Sequence, residues 1–156
     1  MKSEINSILS SLQRTSTGHP WYGRAVYEII KESSSDRQYI RPTSNSHSLA
    51  ELLYHMVTWA EFVQKRIEKE PIKDMAAFDA LDWRPIDPDL HDMEKGLMAL
   101  QAAHNNIIAL LQEKDDSFLE EKCDYRDYNF DYLLNGLIQH NIYHLGQIAY
   151  LHKLLA

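Results

Sequence analysis

Apolar residues recur at spacings of three and four along most of this chain, which is the period of an α-helix. Only five glycines and five prolines interrupt its 156 residues, and no segment shows strand-like alternation, an internal repeat or a low-complexity tract. This pattern predicts an all-α fold. The length predicts a single domain that covers residues 1–156, with one hydrophobic core.

The apolar stripes define four principal helices, which we predict over residues 3–14, 48–70, 89–112 and 130–155. Ser48 and Glu51 have the spacing of a capping box at the start of the second of them. Four such helices bury their stripes best as a four-helix bundle. The connections are uneven, which argues against the simplest up-down-up-down order. The longest, residues 71–88, is predicted to cross the bundle or to form a functional loop.

Composition excludes several classes of function. The chain has 16 basic and 23 acidic residues, a net charge of −7 and no cluster of Lys or Arg, so we expect no binding to nucleic acid. No apolar run approaches the roughly 20 residues that span a bilayer, and the N-terminus lacks a signal-peptide core, so we expect no membrane association and a cytoplasmic location. Cys123 is the single cysteine, which excludes an intrachain disulfide, and we expect it to be a surface thiol.

Two of the eight histidines lie in the middle of the apolar stripe of the last helix. At 100° per residue, the stripe within about 40° of His144 also contains Leu133, Leu137, His140, Ile148 and Leu151. Four residues apart on one helical face, two imidazoles can direct one nitrogen each at the same metal ion. Residue 141 is Asn and not Glu, so the pair is not the zinc-protease motif.

His55 is the candidate third ligand, because on the second helix it lies about 60° from the stripe centre at Leu52 and can face the interior. His104 on the third helix lies close to that helix's apolar line, and geometry leaves it open as a third or fourth ligand. The remaining histidines lie off these stripes or near loops, and we expect none of them at the site: His19, His47, His91 and His152.

Two interpretations of these histidines stay open at this point. A single histidine on an apolar face is usually a core residue bonded to a carbonyl or a hydroxyl. Three imidazoles buried together are harder to satisfy in this way, whereas one shared divalent cation would satisfy all of them. Three neutral imidazoles also leave a coordination position open, as in catalytic sites, and they suit Zn²⁺, Ni²⁺, Cu²⁺ or Fe²⁺ without choosing among them.

Three stretches carry a resemblance to a known family: Gly18 to Gly23, Ser46 to Met56 followed by Trp59, and His140 to Ile148. In these stretches the sequence resembles the DinB-like family, also called the YfiT-like metal-dependent hydrolases. The resemblance implies a four-helix bundle, often dimeric, whose divalent metal is held by His55, His140 and His144. It implies Zn, Ni or Fe without identifying the metal, and it carries over no catalytic acid or base.

What the resemblance implies about activity is less specific. Characterised relatives include S-transferases and isomerases that use a low-molecular-weight thiol such as bacillithiol or mycothiol, and many members have no known reaction. We therefore expect a metal-dependent enzyme that transfers such a thiol to a small-molecule substrate or hydrolyses a small molecule. The alternative is a non-catalytic metal-binding helical module, stress-linked or sensory.

The last helix also carries a second apolar line, made of Leu134, Ile138, Ile142, Leu145 and Ala149. This line predicts a homodimer in which the last helices meet, and burial under residues 113–129 is the alternative. Among the polar candidates, we interpret Gln147 as a helix-packing amide and Glu51 as the capping-box partner of Ser48. Trp21 and Tyr22 are interpreted as core aromatics of a helix that resumes near Trp21.

Overall fold

The computed structural model describes residues 1–34 and 36–156, and these contain helices but no strand, which confirms the all-α prediction. The helices in chain order are α1 (Ser3–Ser16), α2 (Val26–Glu32), α3 (Leu49–Ile67), α4 (Met75–Asp79), α5 (Met93–Gln112), α6 (Ser117–Glu120) and α7 (Phe130–Leu155). The four long ones, α1, α3, α5 and α7, correspond to the four predicted helices. No helix in the described part of the chain has the length and apolar character needed to cross a membrane.

The four long helices pack as a bundle in which α3 and α1 each contact both α5 and α7. Helices α3 and α5 run parallel, because the Tyr54 hydroxyl donates to the Asp92 carbonyl at their starts and the Asn106 amide donates to Gln64 further along. The start of α1 meets the end of α5, where Lys2 donates to the Gln112 carbonyl. The bundle therefore has up-down-down-up order and not the up-down-up-down order against which the uneven connections argued.

Parallel packing of α3 and α5 determines the course of the chain between them. The segment from Glu68 to Asp92 has to return along the bundle before α5 can begin beside the start of α3. The two helices then pack closely, since a Cβ added at Gly96 would lie only 2.7 Å from Leu53 Cδ2. The predicted crossing segment is therefore real, and it lies along α3.

The helix ends follow the sequence signals closely. Ser48 and Glu51 form the predicted capping box, and Asp92 and Asn129 cap α5 and α7 through their side chains. The start of α1 is capped across the fold, because the Asp116 carboxylate accepts from the backbone N–H of Glu4 and of Ile5. These bonds satisfy N–H groups that the helices themselves leave without partners.

The interpretation of Trp21 and Tyr22 as core aromatics is wrong. Residues 21–23 form a turn, α2 begins only at Val26, and the Trp21 side chain is fully exposed. The surface position predicted for Cys123 is also wrong, because the loop closes through a bridge between Lys122 and Asn129 and buries the thiol. That burial raises the pKa of the Cys123 thiol.

Most of the second apolar line of α7 is covered within the chain. Leu134, Ile138 and Leu145 are buried, because α1, α2 and α6 all pack against α7, whereas Ile142 and Ala149 are half-buried. The three buried residues need no second chain, and cover by the 113–129 segment accounts for part of their burial. The homodimer stays a prediction, and the second apolar line of α7 no longer provides the argument for it.

Candidate metal centre

The structure brings the three predicted histidines together between α3 and α7. One ring nitrogen from each of His55, His140 and His144 lies within 4.8 Å of the other two. Nε2 of His55 is 3.0 Å from Nε2 of His140, and the two rings of α7 are 4.4 Å apart at their centroids. Within residues 1–34 and 36–156, no other group of three His, Cys, Asp or Glu side chains converges in this way.

His55 is fixed by a residue of the segment that returns along the bundle. Its Nδ1 lies 2.7 Å from the Asp82 carboxylate and 3.3 Å from the Asp82 carbonyl. The same carboxylate accepts a 2.7 Å hydrogen bond from Nε1 of Trp59, one helical turn along α3. Because Nδ1–H donates to Asp82, Nε2 of His55 keeps its lone pair and faces the other two rings.

His144 is fixed in the same way by its own helix. Its Nδ1 lies 2.5 Å from Oε1 of Gln147, so Nδ1–H donates to the amide oxygen and Nε2 keeps its lone pair. The interpretation of Gln147 as a packing amide is therefore wrong, because its oxygen orients a ring of the cluster. Glu51, by contrast, caps α3 as predicted and pairs with Arg41.

His140 differs from the other two rings because its second nitrogen, Nδ1, is buried without a hydrogen-bond partner among the described residues. Burial, together with the neighbouring His144 and His55 rings, lowers the pKa of His140 to about 3. Burial also lowers the pKa of His55 and of His144, against the opposing effects of Asp82 and Gln147. All three rings are therefore neutral at pH 7, the protonation state in which imidazole binds metals.

The spacing of the ring nitrogens fits a divalent transition-metal cation, which is the kind of ion that imidazole nitrogens bind. With bonds of about 2.1 Å and angles between about 90° and 109°, neighbouring nitrogen ligands lie roughly 3.0–3.4 Å apart. The 3.0 Å separation of the His55 and His140 nitrogens falls at the edge of that range. Without a cation, the hydrogen bond that the described residues show within the cluster joins Nε2 of His140 to Nε2 of His55, whereas a shared cation would engage one nitrogen of all three rings.

His104, the ligand candidate left open by the sequence, belongs to a separate network. Its Nε2 is 3.1 Å from the side-chain amide nitrogen of Asn141, and its Nδ1 is 2.6 Å from the Tyr27 hydroxyl. Both ring nitrogens are thus used within the protein, in a bridge that joins α2, α5 and α7. His104 is fully buried, and burial lowers its pKa to about 4. It is a satisfied core histidine.

The structure adds two residues that the sequence gave no reason to place here. The indole of Trp83 stacks on His55 at 3.8 Å between centroids, and His47 stacks on the other face of Trp83 at the same distance. His47, expected to point away, therefore lies in the outer layer of the site. Trp83 follows Asp82 in the return segment, and neither belongs to a motif that spacing could reveal.

A protein-family model matches the part of the chain that forms this site. A protein-family model described as the DinB superfamily matches residues 23–148, which include all three converging histidines. None of the curated proteins is similar enough to this chain to count as a match.

The His104 network makes the stability of the metal-free protein depend on pH. The unfolded chain binds a proton at this ring below about pH 6.5, whereas the folded chain does so only near pH 4. The free energy of unfolding must therefore fall as the pH drops from about 6.5 towards 4. We expect His104→Gln to reduce the slope of the unfolding free energy against pH by the equivalent of about one bound proton at a pH of about 5. Urea unfolding of both proteins across this range measures the difference, and equal slopes would contradict it.

Proposed function

The chain belongs to the DinB superfamily, and on this premise we propose that it is a metal-dependent enzyme in which His55, His140 and His144 bind a divalent Zn, Ni or Fe ion. The observation that carries the proposal is the convergence of three neutral rings, two of which are oriented by Asp82 and Gln147. A divalent cation on three imidazoles supplies a Lewis acid with an open position that lowers the pKa of a bound water or thiol.

We further propose that the reaction transfers a low-molecular-weight thiol to an electrophile. Two depressions reach the site from opposite directions along α7, which suits a reaction of two substrates. One ends at His140, and the other, of about 380 Å³, contains Asn45, His47 and Gln147 beside Leu52, Leu151 and Leu154. The side chains of Asn45, His47 and Gln147 offer hydrogen-bonding partners to a thiol that carries polar groups, and the depression at His140 suits the electrophile.

The chemistry of such a transfer defines what the protein has to provide. The sulfur forms a bond to the electrophilic carbon, the leaving group departs with its electron pair, and the thiol proton passes to the leaving group or to solvent. The chain contributes rings held in one orientation and aromatic side chains beside them, chiefly Trp59 and Trp83. We assign no side chain as a catalytic acid or base. Hydrolysis of a small molecule at the same centre is the alternative reaction.

A thiol titration tests this proposal. The untagged protein, loaded with Co²⁺, should show a new sulfur-to-cobalt charge-transfer band as cysteine is added as the probe. His140→Ala should lose the cobalt spectrum, whereas His152→Ala, also on α7 but outside the cluster, should behave as the wild type. A cobalt spectrum that thiol leaves unchanged would contradict thiol transfer and favour a non-catalytic metal-binding module. In such a module the cation would stabilise the fold by joining α3 to α7.

Asp82 gives a second prediction, because its carboxylate orients His55 and makes that ring more basic. We expect Asp82→Asn to weaken Zn²⁺ binding by about 10–100-fold, as losses of such carboxylates do in other metal sites. Asp79→Asn removes the same charge from an exposed position three residues earlier and should leave the affinity unchanged. Competition with a chromophoric zinc chelator measures both. Equal affinities for the two variants would mean that Asp82 does not support the site.

A further inference from the structure

The apolar depression beside the histidine cluster has the character of a binding pocket. It is about 150 Å³ in volume, and its lining residues are Trp59, Val63, Tyr128, Tyr132, Leu133, Gly136, Leu137 and His140. Seven of these eight residues are aromatic, aliphatic or glycine, and the eighth is a ring of the cluster. The pocket therefore leads from an apolar surface directly to one of the proposed ligands.

The size of the pocket limits what it can hold. A cavity of about 150 Å³ with mostly apolar walls accommodates a molecule the size of benzene, and it offers a charged or heavily hydroxylated group few partners. The aromatic walls add a preference for a flat ring, because aromatic pairs gain energy beyond the area they bury. Tyr128 and Tyr132 contact each other with centroids 5.0 Å apart, and Trp59 lines the same pocket.

Gly136 is what makes room for such a ring. A Cβ added at this position would meet no atom within 4 Å, so a side chain here would extend into free space in the pocket. Leu133 and Leu137, its neighbours in the lining, both carry bulky side chains. Glycine inside a helix costs about 1 kcal/mol relative to alanine. The glycine in the middle of α7 thus leaves open a space that most other residues would fill.

The inner wall of the pocket is rigid. Trp59 Nε1–H donates to Asp82, and the indole packs edge-on against Phe62 and Phe78. The indole is therefore held from both sides, and the pocket is formed before any ligand arrives. Through Asp82, the same tryptophan is connected to His55, so the pocket wall and the histidine cluster share one hydrogen-bonded unit.

We propose that this pocket is a subsite for a single aromatic ring of the substrate, with Gly136 as the residue that sets its size. A ring bound there places the group attached to it beside His140, at the edge of the cluster. The inference rests on the proposed function only in its statement that the ring belongs to a substrate of the metal centre. The subsite itself requires no metal.

Binding of benzyl alcohol to the full-length, metal-free protein tests the subsite. The probe should shift the indole N–H resonance of Trp59 in a saturable way, and glycerol at the same concentration should not. Gly136→Leu should weaken binding at least tenfold. Gly146→Leu is the matched control, since Gly146 is also on α7 with nothing within 4 Å of its Cβ and lies outside the pocket lining. It should bind benzyl alcohol as the wild type does.

The outcomes separate the subsite from the metal centre. His144→Ala should lose the metal and still bind benzyl alcohol, whereas Gly136→Leu should keep the metal and lose the probe. Undiminished probe binding by Gly136→Leu, or an unchanged Trp59 resonance in the wild type, would overturn the subsite and leave the proposed metal chemistry standing. If the wild-type protein binds benzyl alcohol but takes up no metal, the proposed metal chemistry is overturned and the subsite stands.

Discussion

The constraint on which the site depends is the convergence of three largely buried, neutral imidazoles between α3 and α7. Burying polar rings together is costly unless each finds a partner, and a shared cation would bind one nitrogen of all three. Asp82 and Gln147 accept hydrogen bonds from Nδ1–H of His55 and of His144, which leaves both Nε2 atoms as acceptors directed inward. The centre of the cluster thus presents nitrogen lone pairs to a cation, and the rings themselves carry no positive charge at pH 7.

The bundle topology determines how this arrangement is built. Because α3 and α5 are parallel neighbours, the chain has to travel back along α3 between them, and this return places Asp82 and Trp83 against His55. A bundle with antiparallel neighbours and a short turn would have no segment there. The connection that gives the fold its order therefore also supplies the carboxylate and the aromatic cover of the site.

Helical periodicity was enough to predict the all-α fold and to make His55 a candidate partner of the His140 and His144 pair, because both depend on which residues share a helix face. It left His104 open as well, and the choice of His55 came from the resemblance to the DinB-like family. His140 and His144 lie in one stripe, and His55 lies on the facing side of α3. The partners of these rings were not predictable in the same way. Asp82 lies in an irregular segment whose path depends on packing. The role of Gln147 depends on a rotamer, and that of His104 on a bond to Tyr27 from a distant helix.

The metal content of the protein purified without a histidine tag tests the central claim most directly. The account predicts about one divalent transition-metal ion per chain for the wild type, and none for the His140→Ala/His144→Ala double variant with its helical circular dichroism retained. The His104→Gln variant should hold as much metal as the wild type. Stoichiometric metal in the double variant, or a wild type that takes up no metal when Zn²⁺, Ni²⁺ and Fe²⁺ are each supplied, would contradict the account.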